Sequence, residues 1–176
     1  MTDLYDRIVS QRGSLERLAD KIPGFRGYHD RADRRKADRL LRDYIAGQID
    51  QCVATLVQIE KLILDNIGLQ YMPKTRDLKG KIQLYRDKVS AAVPGYAGLW
   101  AQMKIGLPEL EELYSFDEAQ IRYVEKVNKA LDALRKAVLS KEGIDAAIME
   151  ADSVTTEALD ALALRDDVLT RFAESV

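Results

Sequence analysis

Apolar residues recur at alternating three- and four-residue steps in five segments of the chain, which predicts five amphipathic helices. The segments cover residues 4–22, 30–66, 78–92, 116–138 and 144–172. The second would form one long helix of about 36 residues, or ~54 Å at 1.5 Å per residue. No segment shows the period of two that marks a β-strand. The pattern therefore predicts an all-α chain.

Turn-forming residues mark where these helices should begin and end. Pro23 ends the first helix, because the residue before a proline avoids helical geometry. Gly68 suits a left-handed cap after the long helix. We expect Ser140 to cap the fifth helix, with Gly143 inside its first turn. Residues 109–114 predict a separate short helix before the fourth.

The near-heptad steps favour helices that cross at shallow angles, as they do in bundles. Because each run is short and the connections are brief, we expect an up-and-down bundle of four to five helices and not an extended coiled-coil rod. A length of 176 residues fits a single domain that covers residues 1–176.

The composition adds a cellular setting. The one cysteine, Cys52, excludes an intrachain disulfide and suits a reducing cytosol. The first residues do not form a secretory signal, and no stretch reaches the ~18 uninterrupted apolar residues of a membrane span. We therefore expect a cytoplasmic protein without a transmembrane segment.

Charge is balanced overall but uneven along the chain. The net charge of −2 gives no global attraction to nucleic acid. The first 88 residues carry 18 basic and 13 acidic residues, whereas the last 88 carry 9 and 16. This asymmetry predicts ion pairs between the two halves of one chain, or between two chains.

Residues with catalytic chemistry are few. His29 is the one histidine, and Arg26 stands three residues before it, so the Glu-x-x-His pairs of a diiron bundle are missing. One histidine and one cysteine do not make a zinc site, and neither a nucleophile elbow nor a P-loop occurs. Cys52 lies in the apolar run of the long helix, where we expect a core residue. We expect no metal, no cofactor and no enzymatic activity.

Two loops share the pattern apolar-Pro-Gly-aromatic-x-Gly, at residues 22–28 and 93–100. Pro-Gly favours a tight turn, because proline fixes φ and glycine accepts a positive φ. The second glycine permits close backbone packing. The aromatic side chains either plug the ends of the bundle or line a binding surface. They are candidate interaction residues: Phe25, Tyr28, Tyr96 and Trp100.

Four arginines at the start of the long helix fall within one narrow arc at about 100° per residue: Arg31, Arg35, Arg39 and Arg42. We expect this basic stripe to face solvent. Asp38 lies within it and is predicted to pair with Arg35 and Arg42. The stripe is either a salt-bridged face or a surface for an anionic partner.

Three charged residues lean toward the apolar arc of the same helix: Asp30, Asp33 and Arg34. Buried charges cost free energy unless they are paired, so we expect a local polar network here. Arg34 is predicted to be buried with a carboxylate partner. The candidates are Asp30 and Asp33 nearby, or Asp117 and Glu118 at the start of the fourth helix.

A composite motif spans the first loop and the following helix, Ile22-Pro23-Gly24-Phe25-x-Gly27-Tyr28 and then Arg34-Arg35-x-Ala37-Asp38-x-x-Leu41-Arg42. It resembles a family of small, uncharacterised bacterial helical proteins. A second stretch is similar to that family's other marker, Gly95-Tyr96-x-Gly98-Leu99-Trp100 and then Leu113-Tyr114-x-Phe116-Asp117. The family is more often aromatic around positions 99 and 100. The resemblance covers about three-quarters of the chain. It implies a bacterial, cytoplasmic setting, gives weight to the two loops and Arg34, and brings no catalytic residue.

These features predict a non-enzymatic structural or adaptor bundle that acts through protein–protein contacts, with a protein partner or with itself. The alternative is a peripheral binder of anionic lipid or nucleic acid through the basic stripe, although the net charge argues against nucleic acid. Salt dependence separates the two, because phosphate binding weakens steeply as salt rises.

Overall fold

A computed structural model of the chain describes residues 2–91 and 103–174. Within these ranges the chain forms six α-helices and no β-strand, and helix accounts for 81% of the described residues. The helices are α1 (Thr2–Val9), α2 (Ser14–Lys21), α3 (Arg34–Asn66), α4 (Met72–Ser90), α5 (Leu107–Ser140) and α6 (Ile144–Ala173). The all-α prediction is confirmed, whereas four to five helices was too low a count.

The predicted first helix is in fact two helices. α1 ends at Val9 and α2 begins at Ser14, with Gly13 between them at φ +69°. Glycine adopts this left-handed geometry without steric cost, and it interrupts the helical path. The apolar steps run on across the break, so the hydrophobic pattern alone did not reveal it.

The long predicted helix is α3, which has 33 residues, and Gly68 takes a positive φ of +116° after its end as expected. Two further helices are similarly long, because α5 has 34 residues and α6 has 30. The separate helix predicted at residues 109–114 is the beginning of α5. Residues 113–121 are all buried, so this part of α5 lacks the one-sided apolar pattern from which helices are recognised.

The turn between α5 and α6 corrects the prediction for Ser140. This residue ends α5, and its hydroxyl donates to the carbonyl oxygen of Ala137 over 3.2 Å. Lys141 follows at φ +61°, and the N–H of Glu142 donates to Ala137 O over 3.1 Å. This bonding pattern is a Schellman cap. Gly143, at φ +70°, precedes α6 and does not lie within its first turn.

The chain divides into two compact units. Unit 1 contains Met1–Ile45, Val89–Ile121 and Asp160–Val176, and unit 2 contains Ala46–Lys88 and Arg122–Leu159. The three long helices α3, α5 and α6 each contribute one part to unit 1 and the other part to unit 2. A single domain over residues 1–176 therefore stays a prediction.

Unit 2 combines an apolar interior with ion pairs at its surface. Cys52 is 2% exposed, as expected of a core residue. Arg86 on α4 donates to Asp50 on α3 over 2.9 Å, and Lys81 on α4 donates to Asp152 on α6 over 2.8 Å. The Lys81–Asp152 pair joins the basic first half of the chain to the acidic second half, as the charge asymmetry predicted.

Unit 1 contains α1, α2, the first loop and one part of each long helix. Its central element is the stretch of α5 from residue 113 to 121, where every side chain is buried. None of the helices within residues 2–91 and 103–174 is long and apolar enough to cross a bilayer.

Candidate functional site

The buried stretch of α5 contains polar side chains in a position where an apolar helix would be expected. Ser115, Asp117, Glu118 and Gln120 are each at most 6% exposed. Buried polar groups in folded proteins are almost always hydrogen-bonded. The hydrogen-bond partners of Asp117 therefore identify the polar network inside unit 1.

Arg165 on α6 links two carboxylates inside unit 1. Its Nε donates to Asp117 Oδ1 over 2.6 Å, and its terminal nitrogen donates to Asp38 Oδ1 over 2.9 Å. The hydroxyl of Tyr28 donates to Asp117 Oδ2 over 2.7 Å, and Arg42 Nε donates to Asp38 Oδ2 over 2.8 Å. We call these five residues the Arg165 network. They tie the first loop to α3, α5 and α6.

The electrostatics of the network favour a permanent ion cluster. Burial alone would lower the pKa of Arg165, but the carboxylates of Asp117 and Asp38 raise that pKa well above its ordinary value. Burial raises the pKa of Asp117, while Arg165 acts to lower it. Burial also raises the pKa of Tyr28, whose hydroxyl therefore remains a hydrogen-bond donor. Removing one member of such a cluster leaves an opposite charge buried and uncompensated.

Arg34 is buried, as predicted, at 2% exposure. Its Nε donates to the carbonyl oxygen of Tyr28 over 2.8 Å, and its terminal nitrogen donates to Met103 O over 3.0 Å. The hydrogen bonds described for Arg34 therefore go to main-chain carbonyls, where we expected a carboxylate. Asp117, one of the expected partners, is bound by Arg165.

The polar trio predicted on the inner side of α3 is not assembled there. Asp30 and Asp33 are both exposed, and only Arg34 is buried. Asp30 instead accepts a hydrogen bond from the N–H of Ala32 over 3.0 Å. The reason is that α3 begins at Arg34, so the helical phase used for the prediction does not apply to the residues before it.

The predicted solvent exposure of the basic stripe is confirmed at three of its four positions. Arg31, Arg35 and Arg39 are exposed, and Arg39 forms a loose surface pair with Asp43 at 3.7 Å. The fourth position, Arg42, is a correction, because its side chain is only 16% exposed.

Arg42 faces inward because its partner does. It bonds to Asp38 and to the carbonyl oxygen of Ser90, the latter over 2.8 Å. Asp38 pairs with Arg42 as predicted, but its second partner is Arg165 and not Arg35. Arg42 therefore belongs to the Arg165 network and not to the solvent-facing stripe.

The first loop forms the tight turn that Pro-Gly predicts. The N–H of Phe25 donates to Ile22 O over 3.1 Å, and Gly24 takes φ +81°. The rings of Phe25 and Tyr28 meet edge to face at 5.7 Å, and both side chains are buried in unit 1. The second loop, with Tyr96 and Trp100, lies outside the described residues.

Gly27 allows the loop to approach α5 closely. It takes φ +87°, and a Cβ placed on it would lie 3.0 Å from Tyr114 Cζ. The N–H of Tyr28 donates to the hydroxyl of Tyr114 over 2.8 Å. The two tyrosine rings stack at 5.5 Å with 14° between their planes. Tyr114 is thus fixed on one side by the first loop.

Tyr114 also lines an open cleft of about 960 Å³ on unit 1, which we call the unit 1 cleft. The walls come from α1, the α1–α2 connection, the start of α2, the segment between α2 and α3, and the start of α5. Residues on these walls include Tyr5, Ser10, Leu15, His29 and Leu107. Since Tyr114 contacts Tyr28, the cleft and the Arg165 network are joined through two stacked tyrosines.

Sequence reasoning missed Arg165, Asp117 as its partner, and the cleft. A signal for Arg165 was present, because the residue stands three positions after Leu162 and four before Leu169. Both of those leucines are buried. A charge in the apolar phase of a helix predicts a buried ion pair. Asp117 gave no comparable signal, since neighbouring positions on all sides of α5 are buried.

The remaining candidates for site chemistry are groups of metal-binding side chains and the thiol of Cys52. In the part of the chain that the structure describes, no group of three or more His, Cys, Asp or Glu side chains is placed to hold a metal ion. Burial raises the pKa of the Cys52 thiol to about 11, which opposes formation of a reactive thiolate.

Comparison of the chain with protein-family models, curated proteins and solved structures gives no match.

Proposed function

We propose that the protein is a non-enzymatic adaptor that binds a segment of a partner protein in the unit 1 cleft. The observation that carries this proposal is a preformed concave surface on a fixed floor. Tyr114 is held there by the hydrogen bond from Tyr28 N and by ring stacking. A preorganised surface loses less conformational freedom on binding, so more of the contact energy appears as affinity.

The lining suits a polypeptide segment. Apolar side chains such as Val9 and Leu15 line it together with charged ones such as Arg12, Glu16 and Glu111. A partner segment that carries both apolar and charged residues would match this mixed lining. A volume of about 960 Å³ lies near the top of the ~300–1,000 Å³ range of ligand pockets.

Leu107 offers apolar surface at the cleft. It lines the cleft and is 69% exposed. A bound segment would remove this side chain from water, which stabilises a complex by roughly 25 cal/mol per Å² of apolar surface.

The Arg165 network supports the adaptor proposal as a scaffold. Asp38, Asp117 and Arg165 are buried and bound to one another, so they hold the elements of unit 1 in register. We propose the same bacterial, cytoplasmic setting that the resemblance and the single cysteine indicate.

A blocking substitution tests the proposal. Ser10 is exposed and lines the cleft, so Ser10→Trp should obstruct part of the cleft without disturbing the core. Ser153 is exposed on α6 in unit 2, and Ser153→Trp is the matched control. Proteins captured from native host cells by the wild-type chain should remain with Ser153→Trp and be lost with Ser10→Trp. Identical capture by both variants would refute the cleft as the contact surface.

The basic stripe supports a second candidate function, which is binding to an anionic surface. Arg31, Arg35 and Arg39 are all exposed. Cosedimentation with vesicles of anionic lipid, measured at low and high salt, tests this alternative. Steep loss with salt, and loss on Arg35→Glu, would favour it over the cleft.

A further inference from the structure

Helix α1 is a short amphipathic helix that lies against unit 1. Ile8 is 3% exposed, and Leu4, Tyr5 and Val9 are partly buried. The opposite face carries exposed charges, at Asp3, Asp6 and Arg7. The apolar positions are 4, 5, 8 and 9, and they form one narrow stripe along the helix. Such a stripe is typical of a helix that packs into an apolar groove.

The contacts described for Tyr5 join α1 to two other helices. Its ring lies 5.7 Å from the ring of Phe116. Its hydroxyl donates to the carboxylate of Glu112, which also accepts a hydrogen bond from Arg171 over 2.7 Å. An isolated helix of eight residues is unstable in water. Docking against α5 and α6 therefore maintains the helical form of α1.

The link to the rest of the chain permits detachment. Residues 10–13 are not helical, and Gly13 takes φ +69° just before α2. With so short a link, a detached α1 would stay near its groove at an effective concentration on the order of millimolar. A partner helix would therefore have to compete with the tethered α1 for this groove.

We propose that α1 is a built-in occupant of a helix-binding groove, and that the partner docks an amphipathic helix of its own in the place of α1. This inference rests on the proposed adaptor function. Tyr5 and Val9 form one wall of the unit 1 cleft. Release of α1 would open that wall and uncover Phe116, which is 0% exposed with α1 docked, while Tyr114 stays held by Tyr28.

The residues of α1 define the chemistry of this partner. Its helix carries an aromatic residue and, three positions later, an aliphatic one, as Tyr5 and Ile8 are spaced. A hydroxyl or basic group at the aromatic position reaches the carboxylate of Glu112. Two further apolar residues flank this pair, as Leu4 and Val9 do in α1, and the positions on the outer face are polar, as Asp3, Asp6 and Arg7 are.

A peptide in trans tests the proposal with the full chain. The probe is a fluorescein-labelled synthetic peptide of residues 2–13, measured by fluorescence anisotropy. Ile8→Asp in the protein should release its own α1 and leave the groove vacant. Arg7→Ala, on the exposed face, is the matched control. The peptide should bind the Ile8→Asp protein at least roughly tenfold more tightly than wild type or Arg7→Ala, because the tethered helix competes in those two. A peptide that itself carries Ile8→Asp should bind none of them.

Three results would overturn the proposal. Equal binding to wild type and Ile8→Asp would place the peptide elsewhere, and no binding to either would mean that the groove accepts no free helix. Loss of helicity beyond α1 in the circular dichroism of Ile8→Asp would make α1 an integral part of the core. If the peptide fails while Ser10→Trp still abolishes partner capture, the cleft function stands and only this inference falls.

Discussion

Arg165 Nε lies 2.6 Å from Asp117 Oδ1, and the two side chains are 4% and 0% exposed. The residues are 48 positions apart in the chain, so this pair fixes α6 against α5 within unit 1. Asp38 joins the same guanidinium from α3. The pair is therefore the point where three long helices are held together inside unit 1.

Removing Arg165 should destabilise the fold strongly. Arg165→Met leaves Asp117 and Asp38 buried without their shared cation, which typically costs about 3–5 kcal/mol. Arg171→Met, at a side chain that is 56% exposed, should cost about 1 kcal/mol or less. Urea unfolding followed by circular dichroism measures both. Similar losses for the two variants would contradict the structural role of the network.

Arg34 and Arg35 are neighbours with opposite environments. Arg34→Ala strands two buried carbonyl oxygens, those of Tyr28 and Met103, at about 1–3 kcal/mol each. Arg35→Ala removes an exposed side chain and should change stability by roughly 0.5 kcal/mol or less. The free energies of unfolding of both variants are compared with wild type. Equal effects would mean that the two arginines do not differ in burial.

Two glycines of the first loop form a matched pair. Both have a positive φ, so alanine at either position should cost about 1–2 kcal/mol of backbone strain. Alanine at Gly27 would also press on Tyr114 and on Leu15, whereas the nearest atom at Gly24 is 4.0 Å away. Gly27→Ala should therefore cost about 1–3 kcal/mol more than Gly24→Ala in thermal or urea unfolding. No difference would argue against the close approach of the loop to α5.

Cys52 should be inert in the native protein. With a pKa of about 11, only about one thiol in a thousand is ionised at pH 8, and the side chain is 2% exposed. Reaction with a thiol reagent should be slow in buffer and fast in urea. The raised pKa also has a stability consequence. The thiol's contribution to the free energy of unfolding is fully present below pH 9.0, the ordinary pKa of cysteine. It is lost as the pH rises toward 11, the pKa in the folded protein. Fast labelling of the folded chain at neutral pH would contradict this account.

The hydrophobic period predicted α3, α4 and α6 because each has a distinct apolar face. It failed at Gly13, where a left-handed residue breaks the helix without changing the apolar steps. It also failed at the start of α5, where burial on all sides removes the contrast between faces. Hydrophobic periodicity therefore predicts helices that have one solvent-exposed face, and it misses helical segments that are buried on all sides.

The candidate site was predictable only where its signal was local. The phase of Arg34 on α3 predicted its burial, and the four-residue spacing of Asp38 and Arg42 predicted their ion pair. The pairing of Asp117 with Arg165 depends on how α5 meets α6, which a single sequence does not record. The unit 1 cleft likewise arises from the packing of α1, α2 and α5.

Photocrosslinking at Leu107 tests the central claim most directly. Leu107 lines the unit 1 cleft at 69% exposure, and Met149 in unit 2 is a matched control at 72% exposure. A photoreactive phenylalanine analogue is placed at either position, and the chain is irradiated in native host cells. We predict a crosslinked protein partner from position 107 and not from 149, with the adduct lost when Ser10→Trp is added. Equal crosslinking at both positions, or none at 107, would contradict the assignment of the cleft as the partner-binding surface.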